Sequence, residues 1–244
     1  VSGDNDASNK VITSLTAQID ALTSRNEALK ADMTTFENEI RSSFLTNGFI
    51  ATIKPSLTWI LASGFDTSEA QLGLWKVGPN FAAQLDPSML FGKLLLPLNQ
   101  ELSPVLYSFK AKSTDTPDDW VGFGIHVYVD DVDKRGYGLG HSLLIWLTRD
   151  REVYKTNYTY LQLYRSDDDV HMERVMDAAI PEPITEYIHV EVLYEPVNQY
   201  ITIAINGEEK IRYKTWFGIN GGVEMALRSL GTAEFTDLVI KTLP

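Results

Sequence analysis

Glutamates are the first side chains in this sequence with the means to do chemistry. Glu191 and Glu195 fall on or beside one strand-like run and Glu224 on another. Two carboxylates on one sheet face are the equipment of a glycosidase, one as acid and one as nucleophile or base. Carboxylates on strands are otherwise solvated or ion-paired, which is the plainer reading here. Aspartates cluster at Asp130, Asp131 and Asp133, at Asp167, Asp168 and Asp169, and at Asp115, Asp118 and Asp119 before Trp120. Oxygen-rich loops hold Ca2+, and Asp130, Asp131 and Asp133 form the leading metal candidate; the competing reading is a set of solvated turns. The four histidines, His126, His141, His171 and His189, match no local metal-ligand spacing. Tyr154, Tyr158, Tyr160 and Tyr164 form a group, and the last three share one face of a strand-like run. With Trp120 these three are candidate ligand-binding residues, although aromatic faces also build ordinary sandwich cores. No Gly-x-Ser-x-Gly elbow and no P-loop occurs. The Gly136-Tyr-Gly-Leu-Gly140 run leads into a strand and reads as a mobile loop rather than a phosphate cradle. Asn157-Tyr158-Thr159 is a glycosylation sequon, meaningful only in a eukaryotic secretory setting.

Two kinds of element must position these residues. Residues 12–43 carry a heptad repeat. Ile12, Ile19, Asn26, Met33 and Ile40 are seven apart, and Leu15, Leu22, Leu29 and Phe36 follow the first four of them by three. That spacing makes a narrow apolar seam on a helix, and an isolated helix of this kind must bury its seam against a partner. The spacing predicts a helix over 10–45 within an N-terminal segment 1–48, with Asn47-Gly48 as its C-terminal stop, then a connector over 49–56. The nine seam residues from Ile12 to Ile40 are the predicted interface with a protein partner, either a second copy or a different chain. In a parallel homodimer Arg25 would face Lys30 and Asp32 would face Glu37. These like-charged flanks leave room for a heterotypic partner or a trimer. A helix folded back on its own domain is the alternative.

From residue 57 the period changes from seven to two. About a dozen short runs alternate apolar and polar residues and are separated by turns; Asn206-Gly207 between two of them is a strong hairpin signal. That pattern predicts an antiparallel sandwich or barrel over 57–244. In the run 121–129 the odd residues Val121 to Val129 share one face, with Gly122, Gly124, His126 and Tyr128 opposite.

Composition narrows the function classes. The 244 residues carry 33 acidic and 21 basic side chains, for a net charge of -12. That balance argues against nucleic acid and anionic membrane surfaces as partners. Without cysteine there is no disulfide, thiolate metal site or cysteine nucleophile. No apolar run approaches membrane-spanning length. The small, polar start resembles a trimmed mature terminus, so an extracytoplasmic location after signal-peptide removal is the expectation.

The last third resembles a known family. The run 187–194 is followed by Tyr200-Ile-Thr-Ile-Ala-Ile-Asn-Gly207, then Gly222-Val-Glu-Met-Ala-Leu227, then Glu234-Phe-Thr-Asp-Leu-Val-Ile240. This order is similar to the closing strands of concanavalin A-like (LamG-like) jelly rolls. The resemblance implies a mainly β, two-sheet antiparallel jelly-roll sandwich preceded by one long helix. Retaining glycosidases of that class carry Glu-x-Asp-x-x-Glu on one strand, and this sequence lacks it. The expectation is therefore a non-enzymatic structural or assembly protein of a bacterial envelope or appendage, needing no cofactor. A glycan-binding, lectin-like module is the alternative, and a glycoside hydrolase comes third. Fold alone decides among none of these.

Overall fold

The computed structural model describes residues 15–16, 18–20, 22–27, 30–31, 34–35, 59–63, 65, 68–100, 103–114, 120–130, 137–216, 219 and 221–243. The chain divides into two compact units, Val1–Ser43 and Phe44–Pro244. In the first, every described residue is helical, with 22–27 the longest continuous piece. The unbroken helix expected over 10–45 is therefore not shown. Leu15, Ile19 and Leu22 are exposed, at 51, 61 and 65%. Asn26 is exposed as well, whereas Ile12, Leu29, Met33, Phe36 and Ile40 lie outside the described residues.

The second unit is built from strands. They are β1 (Trp59–Ser63), β2 (Glu69–Leu72), β3 (Trp75–Gly78), β4 (Phe81–Gln84), β5 (Gly92–Gln100), β6 (Val105–Ser113), β7 (Val121–Val129) and β8 (Ser142–Arg149). A one-turn helix, Arg151–Tyr154, precedes β9 (Thr159–Ser166), β10 (Met172–Ile180), β11 (Ile188–Glu195), β12 (Tyr200–Ile205), β13 (Glu208–Lys214), β14 (Gly222–Leu230) and β15 (Ala233–Thr242). They form two antiparallel sheets. One runs β13-β12-β11-β6-β15-β4-β3, with β1 also on β15, and the other β10-β9-β8-β7-β14-β5-β2. Period-two alternation does the work. Phe123, Ile125, Ile145, Leu161, Leu163 and Leu227 of the seven-stranded sheet meet Phe109, Val190, Ile203 and Phe235 of the other in one buried cluster. Their alternates face outward.

Two positive-φ residues redirect the chain against the sequence reading. Residues 72–77 look like one strand, but Gly73 (φ 109) ends β2 and β3 begins in the opposite sheet. A side chain resists that backbone region, which glycine accepts. At Tyr128 (φ 57) a bulge opposite β14 exchanges the faces of β7. Tyr128 enters the core cluster, and Val129 packs outside with Leu95, Leu139 and Ala226. The alternation expected through Val129 therefore stops at Val127. The Asn206-Gly207 hairpin forms as expected, with φ 51 and 83 at its two central residues.

Candidate functional site

The outward face of the seven-stranded sheet collects most of the singled-out aromatics. Strand register places Arg228, Gly124, Trp146, Gln162 and Asp177 in one cross-strand row from β14 to β10. The next row holds Ala226, His126, Leu144, Tyr164 and Arg174. This face is concave. Four strand spacings separate β14 from β10, about 19 Å on a flat sheet, yet Arg228 Nη1 lies 3.8 Å from Met172 Sδ. Only a curled sheet brings those two side chains together. Gly122 and Gly124 leave room on the floor, since a Cβ on Gly122 would overlap the Trp146 ring and one on Gly124 the Ile145 carbonyl oxygen.

One end of the concave face carries a tyrosine platform. Asp150 Oδ1 accepts from Val153 N at 3.0 Å and caps the one-turn helix, and left-handed Lys155 (φ 52) ends it. The turn carries Tyr154 onto Tyr160, with ring centroids 3.7 Å apart and planes 12° from parallel. Gln162 Nε2 and Arg174 Nη1 both donate to the Tyr154 hydroxyl. The Tyr164 hydroxyl donates to Gln162 Oε1 at 2.9 Å, and Tyr154 donates toward Asp177 Oδ2 at 3.5 Å. Burial raises both phenols, Tyr164 to about 12, so they remain neutral hydrogen-bonding groups at physiological pH. Tyr154, Tyr160 and Tyr164 are half-buried, while Arg174 and Asp177 are exposed. Tyr158 is exposed but precedes β9, so the expected three-tyrosine face is Tyr160 and Tyr164 from the strand with Tyr154 added from the turn.

The other end is built around Arg228, which is 1% exposed. Its guanidinium lies 4.6 Å from the Phe91 ring centroid, 5.1 Å from Tyr137 and 5.6 Å from Trp146. Trp120, exposed, meets Phe91 edge-on at 5.8 Å. Arg228 Nη1 donates to the Tyr137 carbonyl and to His126 Nε2 at 3.1 Å, and buried Nε has no partner. Since arginine only donates, His126 Nε2 accepts and Nδ1 carries the hydrogen. Nδ1 donates to Ser142 Oγ at 3.0 Å, which donates to Leu139 O at 2.8 Å. Burial first, then Arg228 and Lys93, hold His126 well below its ordinary pKa, so it is neutral. Burial also lowers Arg228, to about 10, which leaves it cationic near neutral pH. The described part of the glycine-rich segment, 137–140, is hydrogen-bonded to the 166–169 turn. Gly138 N donates to Asp169 O at 2.7 Å and Leu139 N to Ser166 Oγ at 3.0 Å. A Cβ on Gly138 would overlap the Asp168 carbonyl oxygen.

The remaining candidates fare differently. Glu191 and Glu224 face outward from opposite sheets, so they do not form the pair a glycosidase needs. Glu191 is buried with both carboxylate oxygens unpartnered, and nothing in the structure explains it. Asp130 caps the next strand by accepting from His141 N at 2.8 Å, while Asp131 and Asp133 lie outside the described residues. No group of three metal-ligating side chains occurs among the described residues. No helix among them is long and apolar enough to cross a membrane. Sequence reasoning missed Phe91, Gln162, Arg174 and Arg228. Alternation with core Leu161, Leu163 and Leu227 hinted at an outward face for Gln162 and Arg228 alone.

No family model and no curated protein sequence matches the chain. Solved structures do. The carbohydrate-binding module CBM66 from Bacillus subtilis aligns at TM-score 0.54 and 12% identity, covering 70% of this chain and 93% of its own. A legume lectin-like domain from Entamoeba histolytica aligns at 0.52 and 10%, covering 75% and 97%. This chain has a two-sheet antiparallel jelly-roll fold. The same architecture includes a carbohydrate esterase from Shiga toxin-encoding bacteriophage phi24B, at 0.51 and 7%, covering 77% and 100%. At these identities the likeness is one of fold, and the chemistry must come from the residues.

Proposed function

We propose that this protein is a non-enzymatic glycan-binding module and that the concave face of its seven-stranded sheet receives the sugar. The observation that carries this is the stacked Tyr154–Tyr160 pair ringed by Gln162, Tyr164, Arg174 and Asp177. Flat apolar rings beside a few fixed donors and acceptors suit a ligand with C–H faces and hydroxyl edges. The carbohydrate-binding names of two structural neighbours support the reading. The reading needs no metal, and an extracytoplasmic setting follows from such a ligand.

A glycan array probed with the intact chain, with and without chelator, tests it. Binding that survives chelation and weakens about tenfold or more in Tyr154→Ala and Tyr160→Ala, with melting still cooperative, is expected. A blank array under both conditions overturns it.

A second reading rests on a different observation. Leu15, Ile19 and Leu22 are helical, and among the described residues they form an exposed apolar stripe. We propose that this stripe docks on a helix of another chain and so joins the module to an assembly. Light scattering of the intact chain checks it: a mass above the monomer is expected, or a partner recovered in pull-down. A monomer with no partner removes this reading.

A further inference from the structure

The chain has 33 acidic and 21 basic side chains, so carboxylates are plentiful. Arg165, on the edge-strand pair, shows the usual result: it meets Asp167 at 2.7 Å and Glu173 at 3.1 Å. The arginines of the concave face do not follow it. Among the described residues, Arg174 bonds the neutral Tyr154 hydroxyl and sits over that ring at 5.8 Å, with no carboxylate in ion-pair range. Arg228 meets a carbonyl, a neutral imidazole, a thioether and three aromatic rings, again with no carboxylate. Its buried Nε donates to nothing. Strand register sets Arg228 and Arg174 in adjacent cross-strand rows of this face, with Tyr164 in the row of Arg174. A buried charge without a counter-ion is costly. Aromatic faces offset part of the cost but leave the charge in place. Arg174 and Arg228 therefore keep their charge on this face, and the Asp177 carboxylate beside them meets the Tyr154 hydroxyl rather than either guanidinium.

We infer that the concave face takes a saccharide bearing a carboxylate, with exposed Arg174 meeting the carboxylate and Arg228 adding positive potential from beneath. This rests on the glycan-binding reading and names the class of sugar. A guanidinium fork matches a carboxylate's two oxygens, and the Tyr154 hydroxyl beside Arg174 offers a further polar contact. A neutral sugar leaves both guanidiniums without a direct ion-pair partner among the described residues.

Calorimetric titration of the intact chain with two matched pairs tests the inference: tetragalacturonate against its methyl ester, and sialyllactose against lactose. In at least one pair the acid is expected to bind about tenfold tighter than its neutral twin. That gap is expected to shrink as salt is raised and to vanish in Arg174→Gln. Arg174 is exposed, so this variant keeps the fold, and a thermal melt confirms it. Lys110→Gln, on the other sheet, leaves the gap intact. Equal binding of acid and neutral twins, or a gap that survives Arg174→Gln, overturns the inference while leaving glycan binding standing. So does binding of neutral array sugars with none to either acid. Silence from both pairs together with a blank array overturns both.

Discussion

The Lys110–Lys112 cluster on one outer face and the Arg174–Arg228 floor of the other handle charge in opposite ways. On the eight-stranded sheet Lys110 meets Asp237 at 2.9 Å and Lys112 meets Glu234 at 3.0 Å. The Glu234 carboxylate also accepts from Tyr187 at 2.8 Å, and the Tyr187 ring lies under Lys112. Away from that cluster Glu191 is unpartnered, and Arg212 and Lys214 lie over the Tyr200 ring at 5.3 and 5.9 Å. On the concave face of the seven-stranded sheet Arg174 and Arg228 face rings, a hydroxyl, a carbonyl and a neutral histidine. Neutralised pairs at a wet surface keep a protein soluble and contribute little else. Cations held against aromatics keep their field. The two faces share one core, so this difference arises from outward-facing residues alone.

Three changes break or sharpen that contrast. The largest effect is expected from Gly124→Ala, because the added methyl meets the Ile145 backbone on the neighbouring strand. Overpacking of this kind costs about 1–3 kcal/mol, read as a lower denaturant midpoint, and it flattens the floor beneath Arg228. A melt indistinguishable from wild type would show that the concave floor has slack.

Next comes pH. His126 is neutral when folded, with its pKa held down by burial, Arg228 and Lys93. The unfolded chain protonates this residue below about pH 6.5, so unfolding takes up a proton there. Its contribution is complete above about 6.5 and is lost as pH falls below it, by up to about 1.4 kcal/mol per pH unit. Urea midpoints across pH 5–8, compared with His126→Gln, check this; the variant is expected to flatten the slope. His171 has the opposite sign, since Asp168 raises its pKa and its contribution is lost as pH rises. It is fully exposed and does not mask the effect.

The smallest effect is expected on the paired face. Lys110 and Asp237 side chains are 48 and 57% exposed, so Lys110→Met changes stability by less than about 1 kcal/mol and leaves sugar binding untouched. A large loss in either measurement would mean that the eight-stranded face is more than a solvated surface.

Alternation made the strands legible, and the order of residues 187–240 pointed to the jelly roll. It also placed Tyr160 and Tyr164 on one face. It gave no warning of Tyr128, where a bulge turns an outward residue into core, nor of Gly73, where one apparent strand divides between two sheets. Arg174 and Arg228 were invisible as a pair because strand pairing and sheet curl bring them to one groove, and neither is written in local spacing. Tyr154 lay in a loop-like stretch with nothing to say that a single turn would lay it on Tyr160. The heptad seam was plain in the sequence, and the described part of it is helical and exposed.

That single turn between β8 and β9 has a consequence for how such a module changes its diet. The sandwich contributes Tyr160, but the upper ring arrives on a link of a few residues outside both sheets. Shortening or rewriting that link would strip half of the platform and leave the core packing alone. New sugars can therefore be sampled through a handful of loop positions, at almost no risk to folding.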